Sequence, residues 1–377
     1  MRPDYEVSRY RPADRDQVLR LQKLLWSTDL RLNEAYFRWK YEENPWLREI
    51  PVYLARSGGD VIGMRGFHGN RWEAGHPPRE FLFWIADDLV VEPEHRNQGV
   101  VSRIMKTALA DLAARHEGFT VNLSGSRPTV LGSLTMGWRS AIRFEPVGRR
   151  SARMRTRRRL WASVDRLRFF WRLGRLRWFD PRGLPEEFVR LDERARRAPP
   201  GRVRLERSPD PVAMAALIHS LGYDGRIRHV RDAVYFDWRF RNPFREYRFL
   251  CAGESRLTGY LVLRRSVSHP DTPISINLSD WEAETPELGA ALLRAALSWG
   301  DFSELVAWSA ALPSWAPPVL AEAGFVPVEP ELRARGLPGA LVRPLRDGVP
   351  EAQWVVNGKS LLDPTCWDLR MLYTMRG

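Results

Sequence analysis

The sequence has few residues that could form disulfides or bind metal. Only two cysteines, Cys251 and Cys366, occur in 377 residues. Two cysteines cannot make a disulfide framework, and neither stands at a metal-ligand spacing. The seven histidines are scattered along the chain and form no zinc motif. We therefore expect neither a disulfide-stabilised fold nor a metal centre.

Long apolar stretches are also missing. No run approaches the roughly eighteen apolar residues that a membrane span requires, and residues 1–16 lack the apolar core of a signal peptide. Hydrophobic residues make up 44% of the chain and charged residues 28%, which is typical of a soluble globular protein. The length allows about two domains. These features predict a cytoplasmic protein.

Positive charge is concentrated in one segment. The net charge is +13, and residues 149–177 hold twelve arginines but only one acid, Asp165. Apolar residues between Trp161 and Leu173 fall near one helical face. This pattern predicts a helix that packs on a domain, or that meets an anionic membrane surface through residues 149–178. Nucleic acid is an unlikely partner, since no nucleic-acid fold signature accompanies the arginines.

The stretch from Asp87 to Leu112, DDLVVEPEHRNQGVVSRIMKTALADL, is the most informative. It contains an apolar strand, a turn at Pro93, a polar loop and an amphipathic helix. The first N–H groups of a helix have no internal partner, and the helix dipole favours negative charge there. Gly99 would let the backbone approach a ligand closely. This order of elements predicts a diphosphate site.

The same stretch resembles the signature of the GCN5-related N-acetyltransferase (GNAT) superfamily. There, V-x-P-x-x-R and [Q/R]-x-x-G-x-[G/A] follow a strand and open a helix. Val91, Pro93, Arg96 and Gly99 match this pattern, whereas Val101 stands where the family prefers Gly or Ala. The resemblance implies acetyl-CoA as acyl donor and no metal. It assigns cofactor binding to Leu89, Val91, Arg96, Asn97, Gln98, Gly99, Val100, Val101 and Ser126.

The resemblance also implies where protons are transferred. Asp87 falls at the common position of a catalytic Glu and is the first candidate for the base, followed by Asp88 and Glu92. Because adjacent strand residues face opposite sides, only one of the two aspartates is expected to enter the cleft. Ser133 occupies the position of the tyrosine that acts as general acid in the family. The general acid is therefore not identified.

An internal repeat divides the chain. Residues 35–46, AYFRWKYEENPW, correspond to residues 234–244, VYFDWRFRNPF, and each copy precedes two strands joined by a glycine-containing turn. The predicted fold class is α/β with two tandem GNAT-like domains, each a mixed, mostly antiparallel twisted sheet flanked by helices. The predicted ranges are 1–148 for an acyl-CoA-binding domain, 149–200 for an arginine-rich helical linker, 201–344 for a degenerate GNAT-like domain and 345–377 for a C-terminal docking tail.

The two copies differ at the predicted diphosphate loop. The second copy carries Trp281-Glu282-Ala283-Glu284-Thr285-Pro286-Glu287 in place of the arginine and glycine of the first. Its carboxylates would repel a diphosphate, so we expect the second domain to be a scaffold or a substrate wall. The patterns also predict helices over 100–115 and 286–299, and a single strand over 138–147.

The favoured function is transfer of an acetyl or other acyl group from acetyl-CoA to an amine of a sugar or small metabolite. An extension of this prediction is a role in the modification of cell-envelope polysaccharide. Tyr36, Trp39, Lys40 and Tyr41 lie where the family places acceptor-binding helices, although the aromatic residues suit core packing equally. Two alternatives remain: a non-catalytic GNAT-like scaffold, and an aminoacyl-tRNA-dependent transferase of the peptidoglycan-bridge type.

Overall fold

The computed structural model describes residues 5–123, 127–150, 187–199, 201–266, 276–308, 312–328 and 339–374. The strands are β1 (Glu6–Arg9), β2 (Val52–Ser57), β3 (Asp60–Ala74), β4 (Arg79–Val91), β5 (Phe119–Asn122), β6 (Arg139–Ile142), β7 (Pro146–Arg150), β8 (Val203–Glu206), β9 (Arg228–His229), β10 (Arg245–Ala252), β11 (Gly259–Ser266), β12 (Ile276–Ala283), β13 (Glu304–Trp308), β14 (Val326–Pro327), β15 (Ala340–Pro344), β16 (Val355–Val356) and β17 (Lys359–Ser360). The α-helices are α1 (Arg15–Gln22), α2 (Leu30–Phe37), α3 (Val100–Arg115), α4 (Arg127–Thr135), α5 (Glu187–Arg197), α6 (Pro211–Ser220), α7 (Ala233–Phe240), α8 (Pro286–Trp299) and α9 (Ala316–Glu322).

The chain divides into two compact units. The first contains Met1–Phe144, Gly222–Phe244 and Glu329–Leu369. Its sheet has the strand order β1-β2-β3-β4-β5-β15-β6, and the short β9 pairs with β3. The pairing of β4 with β5 is parallel, whereas the other neighbours run antiparallel. This unit is therefore a mixed, mostly antiparallel sheet with helices on both faces.

Alternation along β2 explains the two helical layers of the first unit. Tyr53 and Ala55 belong to the core that the apolar face of α3 forms with one side of the sheet. Val52 and Leu54 belong to the core under α1 and α2 on the other side. Since strand residues point alternately to opposite faces, a fully apolar strand such as β2 is suited to the middle of a three-layer α/β arrangement.

The second unit contains Glu145–Leu221, Arg245–Val328 and Arg370–Gly377. Its sheet has the order β14-β7-β13-β12-β11-β10-β8. The pairing of β12 with β13 is parallel, and that of β10 with β11 is antiparallel. Helices α5 and α8 supply Phe188, Leu191, Leu292 and Leu293 to its core. The predicted α/β class, with mixed sheets flanked by helices, is confirmed.

The helices predicted over 100–115 and 286–299 are present with those bounds, but the strand predicted over 138–147 is two strands. Backbone pairing stops after β6 and resumes at β7, and Glu145 between them has a φ of 34°. Strand β6 pairs with β15 in the first sheet, whereas β7 pairs with β13 and β14 in the second. Strand β15 likewise pairs in the first sheet, next to β5. The alternation of residues gives no information on which sheet a strand joins.

The repeated aromatic motif forms a reciprocal contact within the first unit. The indole N–H of Trp39 donates to the backbone oxygen of Trp238 at 2.7 Å, and the indole N–H of Trp238 donates to that of Trp39 at 2.9 Å. The two rings stack with centroids 4.9 Å apart and an interplanar angle of 11°. Both side chains are buried. The repeat therefore brings its two copies together as partners in a core.

Several predictions for the linker fall outside the described residues. Residues 151–186 contain most of the arginine-rich segment and of the predicted membrane-contact region, and Ser126 lies in another such gap. Among the helices that the structure does describe, none is long and apolar enough to cross a membrane.

Replacing Trp39 or Trp238 by phenylalanine should destabilise the first unit. Each change removes an indole donor and leaves a buried backbone oxygen without its partner, which costs about 1–3 kcal/mol. Denaturant unfolding measures the loss. Trp46→Phe is the control, because Trp46 packs edge-on against Trp238 but its N–H takes no part in the pair. Equal losses for all three variants would show that ring size, and not the reciprocal hydrogen bonds, sets the stability.

Candidate active site

The loop between β4 and α3 leaves a helix N-terminus open. Gly99 is the N-cap residue of α3 with a φ of 80°, and Asn97 also has a positive φ of 60°. Within the described residues, no side chain caps this end, and a Cβ built on Gly99 would meet nothing within 4 Å. The first N–H groups of α3 are therefore available to an anionic ligand.

Helix α8 of the second unit begins differently. Its N-cap residue, Thr285, accepts a hydrogen bond from the backbone N–H of Leu288 at 3.2 Å. Pro286 occupies the first helical position, where it contributes no N–H. Glu287 adds negative charge to the first turn. This terminus is capped by its own residues and disfavours a further anion.

A cavity of about 510 Å³ lies against the open end of α3 and extends along β4 towards α4. We refer to it as the α3 cavity. The residues predicted to bind cofactor that line it are Leu89, Val91, Arg96, Asn97, Gly99, Val100 and Val101. Val101 is half-buried and also packs against the core below α3. A branched side chain at this position thus leaves a cavity beside the loop.

Two side chains hold the loop in this shape. Gln98 does not line the α3 cavity; its side-chain oxygen accepts from the hydroxyl of Tyr5 at 2.5 Å, and its Nε2 donates to the backbone oxygen of Glu94 at 2.8 Å. Arg96 Nε donates to the backbone oxygen of Val91 at 3.0 Å. The role of Gln98 is therefore to support the loop, while Arg96 ties it to the end of β4.

Strands β4 and β5 pair over a short distance only. The parallel register matches Trp84 with Thr120 and Ile85 with Val121. Further along β4, no residue of the described chain continues the ladder on this edge. The backbone of β4 at Leu89 and Val91 can therefore pair with a ligand lying in the α3 cavity.

A β-bulge interrupts the pairing of β3 with β4 beside the predicted catalytic residues. The register passes from Met64–Val90 to Gly66–Asp87, and Asp88 takes a φ of 50°. Only glycine fits at position 66, because a Cβ there would stand 1.9 Å from the hydroxyl oxygen of Tyr41. We expected Asp87 and Asp88 to face opposite sides of a regular strand. The bulge instead brings both carboxylates to one cation.

That cation is Lys40, and we refer to these three residues as the Lys40 cluster. Lys40 Nζ lies 2.7 Å from Asp87 Oδ2 and 2.9 Å from Asp88 Oδ1. Asp88 also accepts from Trp26 Nε1 at 2.9 Å and from the hydroxyl of Tyr41 at 2.6 Å. The Asp88 side chain is fully buried, whereas that of Asp87 is 19% exposed. Both oxygens of Asp88 are thus engaged, and Asp87 is the more available carboxylate.

Burial and charge act in opposite directions in the Lys40 cluster. Burial alone would raise the pKa of Asp87, but the charge of Lys40 outweighs it and holds that pKa well below the usual range. Burial raises the pKa of Asp88, the Lys40 charge opposes this rise, and the Asp87 charge adds to it. Burial would lower the pKa of Lys40, yet the two carboxylates keep it above its ordinary value. Lys40 and Asp87 therefore form an ion pair at neutral pH.

Ser133 does not offer its proton to the α3 cavity, although it lines it. The side chain is buried, and its hydroxyl donates to the backbone oxygen of Thr129 at 2.7 Å. It accepts from Asn122 Nδ2 at 3.4 Å. A hydroxyl that already donates to a carbonyl is not free to protonate a leaving group, which agrees with leaving the general acid unassigned.

Sequence reasoning missed two residues of β3 that lie next to this chemistry. Arg65 is buried and lines the α3 cavity. His68 is fully buried, and burial holds its pKa well below the usual value, so that its ring is neutral. The available signal was an arginine and a histidine within residues 61–69 of β3, which are otherwise glycine and apolar, since charged groups are rarely buried without a reason.

The four residues predicted to lie near an acceptor fall into two groups. Tyr36 and Trp39 are buried in the core of the first unit, as the core-packing interpretation expects. Lys40 and Tyr41 hold the carboxylates instead. Neither Asp87 nor Asp88 is among the residues lining the α3 cavity. In the described parts of the chain, no group of His, Cys, Asp or Glu residues could hold a metal ion.

Comparisons with known proteins agree with this geometry. Residues 6–139 match the family model described as an acetyltransferase (GNAT) domain. No curated protein matches the chain. Among solved structures, a conserved protein of unknown function from Enterococcus faecalis V583, described as a probable N-acyltransferase, is similar with a TM-score of 0.55 and 12% identity over 91% of this chain and 72% of its own. A GCN5-related N-acetyltransferase from Anabaena variabilis ATCC 29413 has a TM-score of 0.55 and 10% identity, over 91% and 73%.

Replacing Lys40 by methionine should destabilise the first unit most strongly near neutral pH. The change leaves two carboxylates buried without their cation, which typically costs about 3–5 kcal/mol. In the native chain the folded pKa of Asp87 is depressed. Its stabilisation is therefore present above the unfolded pKa and is lost as pH falls through the folded one. The variant has no such ion pair to lose, so the difference in unfolding free energy should shrink on acidification.

Denaturant unfolding at about pH 7 and at about pH 2, which lies below the ordinary aspartate pKa of about 3.9, tests this pH dependence. Lys106→Met is the matched control, because Lys106 is exposed on α3 and should show little effect at either pH. If Lys40→Met lowered the free energy of unfolding by the same amount at both pH values, the charge interaction would not be the source of the stability.

Proposed function

Because residues 6–139 match a GNAT acetyltransferase domain, we propose that this chain moves an acyl group from acetyl-CoA to an amine. The observation that carries the proposal is the uncapped N-terminus of α3 opening onto the α3 cavity. At one end this cavity offers unpaired helix N–H groups, and along its wall runs the edge of β4 that β5 leaves unpaired. Acyl-CoA has a diphosphate, which the helix N–H groups can bind, followed by a long amide-bearing arm, which can pair with the edge of β4.

The phosphate end of the proposed site is formed by the start of α3. The open N-terminus and the positive φ of Gly99 allow phosphate oxygens to approach the backbone. Arg96 and Asn97 line the same end of the α3 cavity and add a charge and an amide. The side chains at this end carry no carboxylate among the lining residues, in contrast to the first turn of α8. These residues fit the diphosphate of CoA.

The amide arm would lie along β4. The backbone groups of Leu89 and the N–H of Val91 are the candidates to pair with it where the ladder with β5 has ended, whereas the backbone oxygen of Val91 already accepts from Arg96. The acyl group then arrives near the bulge at Asp88. In this position the acceptor amine is close to Asp87, whose carboxylate stays ionised because of Lys40.

Asp87 acts on the acceptor in this proposal. A carboxylate of low basicity does not hold a proton, but it attracts an ammonium group and orders the water that takes the proton away. The positive charge of Lys40 next to it disfavours a second cation and so lowers the pKa of a bound ammonium. Asp88 positions Lys40, Tyr41 and Trp26. The free amine then attacks the acyl carbon.

The acceptor is proposed by class. A sugar amine or a small-metabolite amine suits the ionised and partly exposed carboxylate of Asp87. Modification of cell-envelope polysaccharide is the setting that the sequence suggested. Contact of residues 149–178 with a membrane surface and a cytoplasmic location stay predictions from the sequence. The second unit is proposed as a degenerate GNAT-like domain, supported by its order of elements and by the capped start of α8.

Gly99→Glu should abolish acetyl-CoA binding, which calorimetry measures. We expect the unaltered protein to bind with a dissociation constant between about 1 µM and 1 mM. The affinity of the variant for acetyl-CoA should be at least about 100-fold lower, because a carboxylate placed among the phosphates repels them. Gly118→Glu is the matched control: Gly118 also has a positive φ, of 100°, with open space around its Cβ position, and it does not line the α3 cavity. Equal losses in both variants would place the binding elsewhere.

Asp87→Asn should slow acyl transfer with little change in acetyl-CoA affinity. Loss of the ionised carboxylate removes the group that receives the ammonium, and we expect a fall in turnover of about 100-fold to 10,000-fold. Release of free CoA in the presence of a panel of amino sugars and primary amines measures it. Asp88→Asn should mainly lower the unfolding free energy. If Asp87→Asn retained full turnover with every acceptor that the unaltered protein uses, Asp87 would have no part in the chemistry.

A further inference from the structure

Arg65 carries a charge that no described residue of the first unit neutralises by direct contact. The residue is 2% exposed, and within the described chain its Nε and Nη1 have no hydrogen-bond partner. Its guanidinium carbon lies 5.8 Å from the centre of the Phe67 ring, which is an attractive but weak contact. Burial lowers its pKa to about 10, and it remains protonated at neutral pH. Buried charges without a hydrogen-bonded partner are costly, so an anion is expected to meet it.

Arg65 lies at the end of the α3 cavity that the acyl group would reach in the proposed function. Arg65 lies on β3 at the bulge, between the pairs Met64–Val90 and Gly66–Asp87. It lines the α3 cavity together with Leu89. At about 3.3 Å per residue, the bulge at Asp88 is about 10 Å along β4 from Val91, which adjoins the phosphate loop. A ligand that starts at α3 and follows β4 therefore brings its far end to Arg65.

No carboxylate of the described chain hydrogen-bonds to Arg65. Asp87 and Asp88 are close enough to favour its charged form, but they bind Lys40, Tyr41 and Trp26. Since the described residues leave Arg65 without a hydrogen-bonded anion, an anionic group of the ligand is the partner that we consider. The acyl end of a CoA thioester gains negative charge only during transfer, first on the carbonyl oxygen as the amine adds and then on the sulfur as it departs. Ser133 cannot supply a proton there because its hydroxyl already donates to Thr129.

We infer that Arg65 is a catalytic residue that stabilises the negative charge on the sulfur of CoA as the acyl group leaves. The inference rests on the proposed function. In this step the acceptor nitrogen bonds to the acyl carbon, the carbon–sulfur bond breaks, and its electron pair goes to sulfur. The proton lost by the amine passes to solvent, and the thiolate later takes one from solvent. Arg65 stays protonated throughout and contributes its charge and N–H donors in a water-poor site.

The test measures the pKa of the CoA thiol in the complex, which needs no acceptor. Ultraviolet absorbance of the thiolate is followed against pH with saturating CoA. Bound to the unaltered protein, the thiol pKa should fall by about 1–3 units relative to free CoA, as expected for a cation nearby. Arg65→Gln should remove this shift, and Arg65→Lys should restore part of it. Arg115→Gln is the control, since Arg115 pairs with Asp111 on the exposed side of α3.

The outcomes separate this inference from the proposed function. If CoA does not bind the unaltered protein, both are overturned. If CoA binds but its thiol pKa is unshifted in the unaltered protein, or is equally shifted in Arg65→Gln, the role of Arg65 is overturned and acyl-CoA binding stands. An Arg65-dependent preference for succinyl-CoA over acetyl-CoA, with an unshifted thiol pKa, would assign Arg65 to a carboxylate on the acyl chain instead. Because the unaltered protein alone can refute the inference, a variant that does not fold leaves it testable.

Discussion

A lysine buried between two carboxylates constrains the middle of the first unit. Lys40 contacts Asp87 and Asp88 at hydrogen-bonding distance, and all three come together only because β4 bulges at Asp88. Gly66 is part of the same constraint, since Tyr41 occupies the space where a side chain would stand. Removing water from these charges is costly unless each is paired. The bulge in β4 and the π-helical turn Arg38–Glu42, which carries Lys40, are therefore linked by one electrostatic requirement.

The two helix N-termini show how one fold element gains or loses an anion site. Helix α3 begins at a glycine that has no side chain to cap it, whereas α8 begins at Thr285, which caps its own helix. A cap hydrogen bond satisfies an N–H group that a phosphate would otherwise use. The first turn of α8 also carries Glu287. A few residues at each terminus are thus enough to distinguish a helix start that is open to an anion from one that is capped.

Much of the fold and part of the site could be predicted from the sequence. The bounds of α3 and α8 were correct because each has a long, regular apolar spacing and clear end signals. The GNAT resemblance was confirmed for residues 6–139. The predicted strand over 138–147 failed because alternation does not show where pairing is interrupted or which sheet a segment joins. Arg65 was missed, and the contacts of Gln98 were not foreseen, for a similar reason: both depend on neighbours brought from β4 and from Tyr5.

The sequence alone determined what depends on nearby residues. The apolar spacing of α3, the glycine at its start and the contrast with Thr285 are local, and so was the prediction of an anion site at one helix and not at the other. Only the tertiary structure decided what depends on residues far apart in the chain. It joined the two repeated helices through Trp39 and Trp238 and brought Lys40 to both aspartates. Among the described residues, it also left Arg65 without a hydrogen-bonded carboxylate, because pairing of a buried charge is set by packing across strands and helices.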